Sequence, residues 1–367
     1  MSETILETRD LHRRFHMGGG LLQKETVIHA VNGVSLQVRR GETFAIVGES
    51  GCGKSTLARL LLRLIDPSEG EVHYAGRDLT ALPAAEMRKL RAEMQFIFQD
   101  PFSSLNPRMT VERIVGEPLS LHTNLSGAAR RAKVAELLTR VGLRPEHADR
   151  YPHEFSGGQR QRICIARALA SGPKLLIGDE PVSALDVSVQ AQIVNLLEDL
   201  KDEFGLTLVV IAHDLAVIRH MSDRVAVMYL GEVVELADTE TLFSAPRHPY
   251  TQALLQAIPV PAPGARGTRK ALGGDIPSPA NPPAGCKFHT RCPYATELCG
   301  RERPVLAEAG PGQQIACHHW RKIPAPDASA LRLESRSPAA ERRFALFRAA
   351  SAEKTTHPNK ETANDHA

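Results

Sequence analysis

Residues 48–55, Gly-Glu-Ser-Gly-Cys-Gly-Lys-Ser, constrain this chain more than any other feature, because they fit G-x-x-x-x-G-K-[ST] position for position. Glycines at this density let the backbone curl so that successive N–H groups point inward, and a helix starting at the loop adds its positive end. The flanks agree with that geometry. Thr43 to Val47 is an apolar run suited to a buried strand, and Leu57, Leu60, Leu61 and Leu64 recur behind the loop at helical spacing. A glycine-rich turn that matches by accident needs neither flank. The loop therefore reads as a phosphate cradle. Gly48, Glu49, Ser50, Gly51, Cys52 and Gly53 supply the curl, Lys54 reaches the β- and γ-phosphates, the Ser55 hydroxyl ligates Mg²⁺, and Thr56 lies in the first turn of the helix.

A second constellation fits the same chemistry. Leu175-Leu176-Ile177-Gly178-Asp179-Glu180 is an apolar run ending in two carboxylates. At the carboxyl edge of a sheet, Asp179 can hold Mg²⁺ through water, and Glu180 can polarise an attacking water as general base. Alone, such a run is more often a strand ending at the surface; paired with the loop it becomes a magnesium-NTPase site. His213 follows the run Leu206 to Ala212 in the same manner, and Gln99 follows Gln95 to Phe98. A histidine there is by default structural. At the edge of the same sheet it can donate to a γ-phosphate and orient Glu180, while the Gln99 amide reaches Mg²⁺ or water without fixed charge.

Many phosphate-loop NTPases have these parts. The discriminating stretch is Phe155-Ser156-Gly157-Gly158-Gln159-Arg160-Gln161-Arg162, where a Ser-Gly-Gly turn opens a helix and so makes a second anion-binding terminus. One phosphate group does not need two such devices in one chain, unless the second serves the nucleotide of another molecule.

Strand-like and helical runs alternate up to about residue 245, which predicts an α/β sheet with crossover helices. Arg224 to Tyr229 is a further strand candidate. Between about residues 100 and 172 the strand signal vanishes, predicting an inserted helical subdomain. The ATPase domain is expected over residues 1–258, a proline- and cysteine-rich extension over 259–322, and a disordered tail over 323–367, rich in Ala, Ser, Glu, Arg and Lys. Lys plus Arg (45) against Asp plus Glu (42) leaves a net charge of +3, so no basic field points to nucleic acid as the main partner. The longest apolar stretches fall far short of the roughly 20 residues of a membrane span, and the N-terminus is acidic where a secretory signal would be basic and apolar. A cytoplasmic chain is expected, with any pore formed by other chains.

In this order and spacing, the loop, Gln99, Ser156 to Gln159, Asp179-Glu180, Ser183-Ala184-Leu185-Asp186 and His213 resemble the ABC ATPases over about residues 5 to 245. The resemblance implies two cassettes sandwiching two ATPs, so that Ser156, Gly157, Gly158 and Gln159 act on the γ-phosphate held by a partner subunit. Two departures stand out. Phe155 replaces the usual leucine before the signature, and the ring that stacks on adenine falls to Phe15, or to neighbouring His16, where tyrosine is frequent. A phenyl ring can still stack; the bland alternative for Phe15 is a core position in an N-terminal strand. Three further stretches resemble ATPases of oligopeptide and dipeptide importers: Gln99-Asp100-Pro101-Phe102-Ser103-Ser104-Leu105-Asn106-Pro107, His248-Pro249-Tyr250-Thr251-Gln252-Ala253-Leu254-Leu255, and Gly285 to Ala295. That narrower likeness implies a mixed-sheet ATPase docked on two transmembrane permease subunits at the cytoplasmic face of the inner membrane. A solute-binding protein would act indirectly, and a second ATPase would pair with this chain as a paralogue. Nickel importers share much of the core, so substrate class rests mainly on the tail. A soluble nucleic-acid ATPase is the rival from another class; such proteins usually carry two cores or a long insertion, and neither occurs here.

Cys286, Cys292, Cys299 and Cys317 follow a Cys-x₅-Cys-x₆-Cys-x₁₇-Cys spacing without the tight knuckles of structural zinc sites. Four thiolates suit a [4Fe–4S] cluster, the resemblance to importers with this tail implies one, and zinc or unmetallated thiols remain as alternatives. Cys52 and Cys164 read as structural.

Overall fold

The computed structural model describes residues 3–18, 25–257 and 274–324. Two long N-terminal strands, β1 (Thr4–Met17) and β2 (Thr26–Arg39), pair antiparallel, and β1 also pairs with β4 (Glu69–Tyr74), to which β5 (Arg77–Asp78) is added. The second sheet is the catalytic one. Its order is β11-β12-β10-β9-β3-β8-β7-β6, from β3 (Thr43–Val47), β6 (Met94–Ile97), β7 (Leu175–Asp179), β8 (Thr207–Ile211), β9 (Arg224–Tyr229), β10 (Glu232–Asp238), β11 (Ala307–Gly310) and β12 (Gln313–Ile315). The pairs joining β9, β3, β8, β7 and β6 are parallel, and those joining β9, β10, β12 and β11 are antiparallel.

Every residue of β3, β7 and β8 is buried, as expected of parallel strands covered on both faces. The pleat then sorts their side chains. Phe44 and Ile46 of β3, with Val209 and Ile211 of β8, enter one core together with Leu57, Leu60 and Leu61 of α1 (Lys54–Leu61) and the inner faces of β1 and β2. Ala45 and Val47, with Leu208 and Val210, enter the other core on the opposite face. α2 (Ala84–Leu90) closes the first core through Met87 and Leu90.

The stretch between β6 and β7 is helical, as its sequence predicts: α3 (Pro101–Ser104), α4 (Val111–His122), α5 (Gly127–Arg140) and α6 (Gly157–Leu169). Its apolar faces, including Val115, Leu119, Val134, Leu138 and Ile165, merge with the second core, so the insert is built onto the sheet. α7 (Val187–Phe204), α8 (Leu215–Met221), α9 (Thr239–Ser244) and α10 (Pro249–Gln256) complete the order before the cysteine-bearing segment and α11 (Glu297–Arg301).

The sequence predicts a small proline- and cysteine-rich extension over residues 259–322; the structure joins its described part to the catalytic sheet and its core. β12 pairs antiparallel with β10, Glu235 opposite Ile315, and β11 lies outside β12, so the segment lengthens the catalytic sheet by two strands. Phe288, 1% exposed, sits in the same core as Tyr229 and Tyr250. Too little apolar sequence for a core of its own is thus met by burial against someone else's. The tail beyond residue 324 lies outside the described residues.

Candidate functional site

β3 delivers the chain into the loop at Gly48, whose φ of 154° is followed by 78° at Gly51 and 104° at Gly53. A Cβ at Gly48 would lie 2.2 Å from the Met228 carbonyl oxygen, and one at Gly53 would lie 2.0 Å from that of Ala30. Only glycine fits either place, so the motif's outer glycines are dictated by neighbouring backbone as well as by φ. The loop surrounds a cavity of about 220 Å³ lined by Ser50, Gly51, Cys52, Gly53, Lys54, Ser55 and Thr56, with Gln99, Glu180 and Ile28 also on its wall. Lys54 is 5% exposed, and its Nζ donates to the Gly48 and Glu49 carbonyls at 2.8 and 2.9 Å. Its charge is thereby held inside the ring of loop atoms that a phosphate chain would enter. Burial pushes the Cys52 thiol up, which fits a neutral packing group.

Asp179 ends β7 beside the loop and accepts from the Ser55 hydroxyl at 2.9 Å. It is 2% exposed, and burial pushes its carboxyl up, with the Ser55 hydrogen bond opposing. A buried carboxylate, a hydroxyl and the Gln99 amide are hard oxygen donors of the kind Mg²⁺ takes, so the residues present fit that ion. The next residue, Glu180, has φ 48°, its N–H donating to the Ile211 carbonyl at the end of β8. This left-handed turn separates the two adjacent carboxylates. Glu180 Oε2 accepts from Gln99 Nε2 at 3.0 Å and lies 3.2 Å from His213 Nδ1. Gln99, Glu180 and His213 are therefore brought together from the ends of β6, β7 and β8.

Ser156 caps α6. Its hydroxyl accepts from the Gln159 N–H, while the Gln159 side chain accepts from the Ser156 N–H at 3.0 Å, a reciprocal capping box. A Cβ on Gly157 would meet Leu185 at 3.4 Å, and one on Gly158 would meet the Val189 side chain at 2.5 Å. The turn thus packs on the segment that follows Glu180. None of Ser156 to Gln159 lines the cavity of their own phosphate loop.

Phe15 stands opposite Ile28 in the β1–β2 ladder, so both side chains share the face on which Ile28 borders the cavity. Arg13 lies 4.7 Å over its ring. His16 instead pairs with Glu25 at 2.7 Å. Cys286, Cys292, Cys299 and Cys317 gather around one small apolar cavity with Phe288, although among the described residues no group of three or more His, Cys, Asp or Glu is arranged to hold a metal ion. Burial pushes the Cys286 and Cys292 thiols up to about 11.

Sequence reasoning missed the loop's distant partners. Glu49 N–H donates to the Tyr250 hydroxyl at 2.8 Å, and Arg291 pairs with the Glu49 carboxylate. Both residues lie in stretches whose likeness to importers was visible in the sequence, but nothing local assigns them to the loop.

Comparison with known proteins agrees with this geometry. Residues 31–183 match the ABC transporter family, and residues 234–299 match the family described as the oligopeptide/dipeptide transporter C-terminal region. The oligopeptide transport ATP-binding protein AppF of Bacillus subtilis is 53% identical over 322 residues, covering 86% of this chain and 97% of its own length. OppF of Salmonella typhimurium is 52% identical over 310 residues, 83% of this chain and 93% of its own. The dimeric cassette MJ0796 in a post-hydrolysis state with ADP and Pi superposes with a TM-score of 0.58 at 32% identity, over 64% of this chain and 99% of the cassette. Among the described residues no helix is long and apolar enough to cross a membrane. Half-identity across nearly the whole length of such proteins, on a fold that carries their nucleotide site, makes this chain a member of the oligopeptide/dipeptide ABC transporter ATP-binding family.

Proposed function

We propose that this chain hydrolyses ATP at a site shared with a second cassette, and that hydrolysis energises a permease importing oligopeptides or dipeptides. The observation that carries the reading is the meeting of Gln99, Glu180 and His213 beside the phosphate loop and Asp179, in a chain whose relatives are peptide transport ATP-binding proteins. Lys54, now bonded to loop carbonyls, exchanges those partners for β- and γ-phosphate oxygens. Ser55, Asp179 and Gln99 hold Mg²⁺, which supplies charge neutralisation on the phosphates. Glu180 takes the proton of the attacking water, and Gln99 and His213 fix its carboxylate by two bonds to one oxygen. Phe15 presents its ring to the adenine. Ser156, Gly157, Gly158 and Gln159 face the γ-phosphate of the partner cassette; none of them lines the cavity of their own loop, and that and the dimeric state of MJ0796 support the division.

The partners that fit are a paralogous ATPase, two permease subunits and, indirectly, an extracytoplasmic solute-binding protein, with this chain peripheral at the cytoplasmic face of the inner membrane. Nickel import and action on nucleic acid are less favoured, because the relatives are peptide transport proteins and the C-terminal match is to the peptide family. A [4Fe–4S] cluster rests only on the number of thiols at that cavity, which zinc or free thiols fit as well, and among the described residues no group is arranged to hold a metal ion. Iron and sulfide analysis of anaerobically purified protein decides among the three.

Replacing Lys54 with Ala in the chromosomal copy is expected to abolish ATP-dependent uptake of labelled di- and oligopeptides while nickel uptake continues. Peptide uptake at the parental rate would refute the assignment.

A further inference from the structure

Glu49, the second residue of the phosphate loop, is fixed at three points. Its N–H donates to Tyr250, its carbonyl accepts from Lys54, and its carboxylate takes a two-pronged pair from Arg291, Nη1 to Oε2 at 2.8 Å and Nη2 to Oε1 at 3.0 Å. The Arg291 side chain is 4% exposed and that of Glu49 21% exposed, so water screens the pair little. Arg291 also reaches the Tyr229 hydroxyl at 3.4 Å, and it ends a short turn (His289–Arg291) that follows the buried Phe288. A carboxylate in a loop that receives a triphosphate has the wrong sign: unpaired, it would repel the ligand and be drawn toward Lys54. An arginine delivered 242 residues later in the chain cancels that charge and fixes the side chain that carries it.

We propose that Arg291 is a positioning residue for nucleotide binding, acting through Glu49: it neutralises the loop's own carboxylate and sets the loop open for phosphate. The C-terminal segment is thereby a working part of the ATP site. The proposal rests on the reading of residues 48–55 as the nucleotide site.

The test is calorimetric titration of MgATP and MgADP into the full-length chain. Arg291→Ala is expected to weaken MgATP by about tenfold, within the roughly 5- to 150-fold range of a coupling free energy transmitted through another group, and MgADP by less, since it brings fewer charges. Adding Glu49→Gln to Arg291→Ala removes the unpaired charge and is expected to return MgATP affinity to within about threefold of the wild-type value. A purely structural role for Arg291 predicts no such rescue. Unchanged MgATP affinity in Arg291→Ala, or a loss that Glu49→Gln does not relieve, overturns the proposal. Should Arg291→Ala not accumulate as folded protein, Arg291→Met with and without Glu49→Gln carries the same comparison, because methionine fills much of the vacated space and removes the charge. Failure of the wild-type chain to bind MgATP would instead overturn the reading of the site itself.

Discussion

Glu180 has φ 48°, a backbone region that residues with side chains rarely enter and that costs on the order of 1–3 kcal/mol. The turn aims its carboxylate away from Asp179 and toward Gln99 and His213. Each of these residues was legible as the end of an apolar run; their convergence on one carboxylate oxygen was not, because it depends on which strands are neighbours. If Glu180 is the base, Glu180→Gln keeps MgATP affinity and lowers steady-state ATPase activity of the assembled transporter by at least about 10²-fold. Turnover above a tenth of the parental rate would assign the proton to another group. Gly53 allows a sharper steric forecast. Gly53→Ala places a methyl 2.0 Å from the Ala30 carbonyl in a left-handed position, so the loop must move and MgADP binding by the purified chain is expected to disappear. Retained binding would mean that β2 yields at Ala30.

At the scale of elements, the sequence located β3 and β9 to the residue and the other parallel strands to within one or two, since their apolar runs are short and end in turns. It also located the helical insert. What it left out is how α6 meets α7: the signature turn abuts the segment after Glu180 so closely that a methyl on Gly158 would come within 2.5 Å of Val189. The contact ties the signature turn to the segment that follows Glu180. Gly158→Ala is therefore expected to lower stability by about 1–3 kcal/mol through overpacking. Val189→Ala should recover most of it, read as melting temperature in a double-mutant cycle. Additive losses would show that the two helices adjust independently.

On the scale of the whole molecule, the C-terminal segment is the largest departure from the sequence reading. Proline content and weak patterning predict an extension with no core element, whereas β12 pairs with β10, Phe288 packs on Tyr229 and Tyr250, and Arg303 donates to the Asn32 carbonyl in the N-terminal sheet. Phe288→Ala is expected to cost about 3–5 kcal/mol, as for other buried aromatics. Ending the chain at Ala257 would expose both that aromatic face and the β10 edge, so aggregation in place of a soluble cassette is expected by size-exclusion chromatography. A soluble monomer binding MgADP normally would show the segment to be dispensable. The sequence by itself determined the chemistry, because a phosphate loop, a carboxylate-ended strand and a signature turn are local patterns whose spacing is fixed by backbone geometry. Only the tertiary structure decided what holds the loop. Glu49 and Arg291 meet across 242 residues, and charge pairing at that separation leaves no periodicity, composition or spacing for a sequence to display.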